Sequence, residues 1–176
     1  MTSQEMSVLR AQPFLRGLPA GQLAELAEHC RHIVVPVGQS LFEEDSTADR
    51  FWLIDAGQVT LDALVPGRGR VVVDQLGRSD VVGLSWMLTP YQWRFGAVTT
   101  QPLQAFEFDA RAVRAACDAD SVLGFELSRR FSAVLLRRPQ ATRARLLTAC
   151  AQQQPPGGSG HTRPAGLRSA WPAGGA

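Results

Sequence analysis

Residues 51–77 read FWLIDAGQVTLDALVPGRGRVVVDQLG, and three short segments within them have the composition of β-strands. These segments are residues 51–55, 58–64 and 70–76, and each is rich in β-branched, aliphatic or aromatic side chains. The sequence PGRG at residues 66–69 separates the last two, and glycine and proline favour a turn there. The pattern predicts consecutive strands of an antiparallel sheet.

The same alternation of short strands and turns extends over about residues 32–108. Further candidate strands lie at residues 33–37, 40–44 and 103–108, and Gly77, Gly83 and Gly96 interrupt the chain between them. Many short strands at this spacing are typical of a β-sandwich or a barrel. No helical pattern between the strands is long enough for a crossover connection, which excludes a parallel α/β sheet. The predicted fold class is α+β but mainly β, as an antiparallel jelly-roll-like barrel.

Helices are predicted on both sides of the strands. Before them, apolar residues recur with the i, i+3, i+4, i+7 spacing of one helical face, at Leu23, Leu26, Ala27 and Cys30. After them, Asp109 is a candidate cap for a short helix that reaches Cys117, and Asp120 or Ser121 for a long one.

The long helix carries an apolar stripe and one proline. The stripe consists of Leu123, Leu127, Phe131, Val134 and Leu135. Pro139 has no backbone N–H to donate, so we expect it to kink or divide the helix.

The expected domain organisation follows from these segments. Residues 1–12 form an N-terminal arm, and residues 13–150 form one domain, with strands over about 32–108 and C-terminal helices over about 109–150. Ten of the 26 residues from 151 to 176 are proline or glycine, which predicts a disordered tail.

Composition favours a cytoplasmic protein without catalytic machinery. The formal net charge is +2, and no apolar run approaches the roughly 18 residues that span a bilayer. Only three widely spaced cysteines occur, at Cys30, Cys117 and Cys150, which predicts neither a disulfide framework nor an iron–sulfur site. We also expect no metal site and no enzymatic activity, because no nucleophile, Walker or zinc-protease motif occurs.

Two motifs resemble the cyclic-nucleotide-binding domain of Crp/Fnr-type regulators. FWLIDAGQV at residues 51–59 is similar to a strand and turn of that family, and LGRSDVVG at residues 76–83 is similar to the glycine-rich start of its phosphate-binding cassette. The resemblance covers about residues 14–147 and implies the family's β-roll. In that family the long helix pairs in a homodimer, and transcription factors add a helix-turn-helix domain, for which we find no segment after Cys150.

The resemblance also implies ligand-binding residues in this chain. The candidates are Gly83, Leu84, Ser85, Arg94, Phe95 and Thr142. Arg94 falls where the family places the arginine that pairs with the cyclic phosphate, and Thr142 where a threonine reaches the base. Leu84 departs from the pattern, because the family's glutamate at that position accepts a hydrogen bond from the ribose hydroxyl. Losing such a bond costs about 1–3 kcal/mol.

Three functional hypotheses remain open at this stage. The first is a sensor domain that binds cyclic AMP, another cyclic nucleotide or a related small ligand, and signals through its C-terminal helix. The second is a degenerate domain that serves as a dimerisation or protein-interaction module. The third, less favoured, is nucleic-acid binding through the six arginines of residues 121–150. The alternative interpretation is that these arginines form a solvated face of the helix. We expect no contact with a membrane.

Alternatives also remain for the roles of Trp86, Trp93 and Arg94. Trp86 and Trp93 either fill the core or offer a stacking surface to a flat ligand. Arg94 is either a ligand-binding residue or a surface arginine stacked on Trp93 or Tyr91.

Overall fold

The structure is a computed structural model that describes the backbone of residues 1–152 and the side chains of residues 1–138. Within that range the chain forms two antiparallel four-stranded sheets, ordered β1-β8-β3-β6 and β2-β7-β4-β5. The strands are β1 (Cys30–Val35), β2 (Ser40–Phe42), β3 (Arg50–Ala56), β4 (Val59–Val65), β5 (Gly69–Leu76), β6 (Val81–Val82), β7 (Gly96–Thr99) and β8 (Leu103–Asp109). The predicted mainly β, antiparallel roll is confirmed.

Helices lie before and after the sheets. They are α1 (Ser3–Ala11), α2 (Ala20–Glu28), α3 (Ala110–Ala119) and α4 (Ser121–Gln152), with short 3-10 turns at Pro13–Leu15 and Ser85–Met87. Among these described helices, none combines the length and the apolar character needed to cross a lipid bilayer.

The predicted helix caps are confirmed by side-chain hydrogen bonds. The carboxylate of Asp109 accepts from the backbone N–H groups of Arg111 and Ala112, at 2.9 and 3.1 Å, and begins α3. The carboxylate of Asp120 accepts from Val122 and Leu123, at 2.9 and 3.2 Å, so Asp120 rather than Ser121 caps α4. These bonds satisfy donors that a helix leaves unpaired in its first turn.

Two features differ from the sequence-based expectations. Of the kink or division expected at Pro139, the division is wrong, since α4 continues through that position to Gln152. Part of the N-terminal arm is the helix α1, whose capping box joins Thr2 and Glu5 through two reciprocal hydrogen bonds. The described part of the chain ends at Gln152, and the predicted tail lies outside it apart from its first two residues.

An aromatic cluster joins the helices to the sheet. Phe51 on β3 stacks on Phe108 of β8, with ring centroids 4.6 Å apart, and on Trp86 at 4.9 Å. Phe131 of α4 meets Phe51, Trp86 and Phe14 edge-on, at 5.4, 5.3 and 4.7 Å. All five side chains are buried, so α4 is attached to the sheet by apolar and aromatic packing.

A buried carboxylate lies on the first sheet. Glu107 on β8 lies opposite Arg31 of β1 and Trp52 of β3 in the strand register. It accepts hydrogen bonds from Arg31 Nε at 2.7 Å, Arg50 Nη1 at 3.1 Å and Trp52 Nε1 at 3.0 Å. These partners compensate the cost of removing the charge from water.

The nearby Cys30 thiol is a packing group. Burial, followed by the negative charge of Glu107, raises the pKa of the Cys30 thiol to about 12. The thiol therefore stays protonated and weakly nucleophilic at neutral pH, as expected for a small packing residue.

Gly57, between β3 and β4, should not tolerate a side chain. Its φ is +94°, and a Cβ atom there would lie 2.1 Å from the carbonyl oxygen of Pro102. We expect Gly57→Ala to lower the free energy of unfolding by about 3 kcal/mol, measured by urea denaturation. Gly38→Ala is the matched control, because Gly38 has φ +81° but no atom near its Cβ position. Equal losses in the two variants would contradict the predicted clash.

Candidate functional site

A cavity of about 470 Å³ lies between the segment that follows β6 and the helix α4. Three parts of the chain form its wall: the loop of residues 83–95, two side chains from the second sheet, and one face of α4. The lining residues are Phe42, Leu61, Gly83, Leu84, Ser85, Met87, Leu88, Thr89, Pro90, Gln92, Trp93, Arg94, Phe95, Ser132, Leu135 and Arg138. Five of the six predicted site residues therefore surround one cavity.

Gly83 has a backbone conformation that favours glycine, and it lies against the indole ring of Trp93. Its φ is +82°, and a Cβ atom there would lie 2.8 and 2.9 Å from two ring carbons of Trp93. Trp93 is buried and stacks on Phe42, with ring centroids 3.8 Å apart. Only glycine fits between this ring and the strand.

The two tryptophans have different surroundings. Trp86 is buried in the aromatic cluster with Phe51 and Phe131, which agrees with the core interpretation. Trp93 is equally buried but also forms part of the cavity wall. Of the two, only Trp93 lies where a ligand in the cavity would meet it.

Leu84 and Ser85 follow Gly83 at the start of the 3-10 turn. Both side chains are half-buried and line the cavity. The hydrocarbon of Leu84 offers no acceptor, and among the described lining residues there is no carboxylate at all. A hydroxyl group in this cavity would therefore find no acidic partner in the described part of the chain.

Arg94 and Phe95 are exposed at the edge of the cavity. Within residues 1–138, the structure gives the Arg94 guanidinium no hydrogen bond and no ion pair. The cation over the Tyr91 ring is Arg114, at 4.4 Å from the ring centroid, and its guanidinium also donates to the Trp86 carbonyl at 2.8 Å. Arg94 is thus available to an anion.

The helix α4 contributes three side chains that sequence reasoning missed: Ser132, Leu135 and Arg138. Thr142, the helix residue predicted to reach the ligand, lies outside the described side chains. The sequence spacing could have indicated two of these residues. Arg138 and Leu135 precede Thr142 by four and seven residues, which is the spacing of one helical face.

Arg138 connects the helix to the strand that leads into the loop. Its Nη2 donates a hydrogen bond to the backbone carbonyl of Val81 in β6. Burial lowers the pKa of Arg138, while the negative charges of Asp74 and Asp80 act in the opposite direction.

The apolar stripe of α4 packs inward. Leu123, Leu127 and Phe131 are buried within the chain. Leu127 and Phe131 are therefore covered by the chain itself, whereas Leu135 of the same stripe is exposed. A different face of the helix is exposed and apolar, and it carries Val122, Phe125 and Leu136, with exposures of 60%, 67% and 72%.

The four arginines of α4 whose side chains are described do not form one exposed basic face. Arg130 donates to the carbonyl oxygens of Phe14 and Arg16, at 2.9 and 2.8 Å, and so holds the N-terminal segment. Arg138 bonds to β6, and Arg129 pairs with Glu126 at 2.8 Å. Arg130 and Arg138 are therefore bonded to other parts of the chain, whereas Arg129 and Arg137 remain exposed.

Comparison with known proteins agrees with this geometry. The family model described as cyclic nucleotide-binding domain matches residues 32–120, which is just over half of the chain. Comparison with curated proteins gave no match.

Solved structures with the same fold include bacterial and eukaryotic domains. A protein from Geobacter metallireducens, described as cyclic nucleotide-binding, is 26% identical with a TM-score of 0.70, over 78% of this chain and 98% of that one. The sensor domain of the transcriptional regulator DNR from Pseudomonas aeruginosa is 18% identical with a TM-score of 0.63, over 78% and 92%. The regulatory domain of Toxoplasma gondii PKA, crystallised with cAMP, is 17% identical with a TM-score of 0.61, over 74% and 49%.

Proposed function

Because the chain belongs to the cyclic nucleotide-binding domain family, we propose that it is a sensor whose cavity binds a cyclic nucleotide or a related small anion. The fold is that of a regulatory, non-catalytic family, which supports a role in signal transduction rather than catalysis. One observation carries the proposal: the same cavity is lined by the loop of residues 83–95 and by α4.

A ligand in this cavity would touch both walls at once. Its binding energy would then depend on where α4 lies relative to the loop, and the ligand would favour the arrangement that it contacts best. A change in the position or order of α4 is the expected output, transmitted to a partner or to a second copy of the chain.

The chemistry of the lining favours an anion with an apolar body. Two guanidinium groups, Arg94 and Arg138, line the cavity, and most of the remaining wall is hydrocarbon or aromatic. A cyclic nucleotide has one phosphate charge and a flat base, and guanidinium groups bind phosphate with paired, charge-assisted hydrogen bonds. Cyclic AMP is the first ligand to test.

Calorimetric titration with cyclic AMP and cyclic GMP tests the sensor proposal. We expect one of the two nucleotides to bind and Arg94→Ala to weaken it by roughly 10- to 100-fold, because a charged hydrogen bond is lost. Arg78→Ala is the control, since Arg78 is exposed in the turn before β6 and does not line the cavity. Absence of heat with both nucleotides would count against nucleotide sensing.

Leu84→Glu should improve the binding of nucleotides that carry a free 2′-hydroxyl. The introduced carboxylate supplies an acceptor that the described lining lacks, and we expect roughly tenfold tighter binding of cyclic AMP in the same titration. The 2′-deoxy analogue should gain nothing. An equal gain for both nucleotides would show that residue 84 does not face the ribose.

A second candidate function is a dimerisation or protein-interaction module that binds no nucleotide. Leu84 in place of an acidic residue favours it, as does the exposed apolar face of α4 at Val122, Phe125 and Leu136. These three residues lie on one side of the helix, with Arg129 and Ser132 between Phe125 and Leu136.

Sedimentation velocity with Phe125→Asp tests pairing through this face. We expect the wild-type protein to sediment as a dimer and the variant as a monomer, because a charge would be buried in the helix contact. Val34→Asp is the control, since Val34 is an equally exposed apolar residue, 69% exposed, that lies on β1 rather than on α4. A dimer that survives Phe125→Asp but not Val34→Asp would place the interface elsewhere.

A further inference from the structure

A second space lies beside the 470 Å³ cavity. It is an open cleft of about 730 Å³ between β1 and β2, each of which is a terminal strand of its sheet. Among the described residues, Phe42 and Trp93 are the two that line both the cavity and the cleft. Their rings stack with centroids 3.8 Å apart, so this stacked pair forms the partition between the two spaces.

Trp93 is the fixed half of this partition. Its side chain is buried, and the edge of its ring lies against Gly83. Its backbone N–H donates to the carbonyl oxygen of Ser46, and its own carbonyl accepts from the N–H of Asp45, both at 2.9 Å. Close packing of a large ring and two backbone hydrogen bonds together hold the residue in one position.

Phe42 is the less constrained half. It is half-buried at the end of β2, a three-residue terminal strand whose pairing with β7 is irregular between Ser40 and Phe42. The ring of Trp52, which lines the cleft, meets the Phe42 ring with centroids 5.5 Å apart. A short edge strand with few ladder hydrogen bonds moves at a lower free-energy cost than a central strand does. Phe42 is therefore the part of the partition that can give way.

From this geometry we infer that Phe42 determines the size of the ligand that the cavity accepts. Its ring ends the cavity on the side of the second sheet, so a ligand too large for the cavity has to displace that ring toward the cleft. A shorter side chain at position 42 joins the two spaces and admits a larger ligand. This role rests on the proposed function, because Phe42 selects ligands only if the cavity binds one.

The surface of the cleft indicates which larger ligands depend on residue 42. Trp52 lies against Phe42, and Ile33, Val35 and Leu41 add aliphatic surface to the cleft. Apolar surface of this kind favours the burial of aromatic and aliphatic groups. The ligand class is therefore an organic anion with two linked aromatic bodies, one of which occupies the cavity and the other the cleft.

Two fluorescent anions of different size test the role of Phe42 on the full chain. They are 8-anilinonaphthalene-1-sulfonate and its covalent dimer, bis-anilinonaphthalene sulfonate. We expect Phe42→Ala to raise the affinity for the dimer relative to the single dye by roughly tenfold, because the second half gains the space of the ring. Phe42→Leu should raise this ratio by less. Leu41→Ala is the matched control and should leave the ratio unchanged, because Leu41 is half-buried and lines the cleft but not the cavity.

The ratio of affinities separates a selective role from a structural one. If the Phe42 ring only stabilises the fold, Phe42→Ala weakens both dyes alike and the ratio stays that of the wild type, which would overturn the inference. Failure of both dyes to bind any of these proteins would also overturn it. Arg94→Ala should weaken both dyes, because Arg94 lines the cavity and not the cleft. Dye binding that is insensitive to this substitution lies outside the cavity and counts against the role of Phe42.

Calorimetry with cyclic AMP distinguishes failure of this inference from failure of the nucleotide proposal. Cyclic AMP binding together with an unchanged dye ratio in Phe42→Ala retains the nucleotide ligand and overturns the role of Phe42. A raised ratio without cyclic AMP binding supports the role of Phe42 and counts against a nucleotide. Thermal unfolding identifies any variant that fails to fold, and if Phe42→Ala does, the ratio measured for Phe42→Leu decides.

Discussion

The packing of Phe131 against Phe51, Trp86 and Phe14 holds the parts of the molecule together. One ring on α4 touches the sheet, the loop after β6 and the N-terminal segment at the same time. Burial of these large rings contributes several kcal/mol in total, on the order of 2 kcal/mol for each aromatic side chain. The contact fixes where α4 crosses the roll, and so places the described side chains that follow Phe131 on the helix.

The cavity is a direct consequence of that arrangement. One turn after Phe131, α4 runs beside the loop of residues 83–95, and Leu135 and Arg138 line the cavity between the helix and this loop. The floor is apolar because Trp93 stacks on Phe42 and the edge of its ring lies against Gly83. A small space with an apolar floor and two arginines is suited to an organic anion, whereas it offers no acidic partner among its described residues to a polyol or a cation.

The same architecture separates the two faces of α4. The inward face is covered by the chain itself at Leu123, Leu127 and Phe131, whereas Phe125 and Leu136 are exposed. Ligand contact on one side and partner contact on another would let a single rigid helix link the two. A sensor and an interaction module would therefore rely on the same fold and the same helix. The two proposed functions differ in whether the cavity binds a ligand.

The class of fold and most of the loop that forms the cavity could be predicted from the amino-acid sequence. Local patterns suffice for that, because alternating strands, Pro-Gly turns, and Asp109 and Asp120 as caps are set by neighbours in the chain. The sequence did not determine that Arg138 joins the cavity, that Glu107 lies between Arg31, Arg50 and Trp52, or which face of α4 stays exposed. Those facts depend on strand register and on the rotation of a helix about its axis, and packing between residues far apart in the chain sets both. The Phe131 contact decided that rotation, so only the tertiary structure could show which helix residues face the cavity.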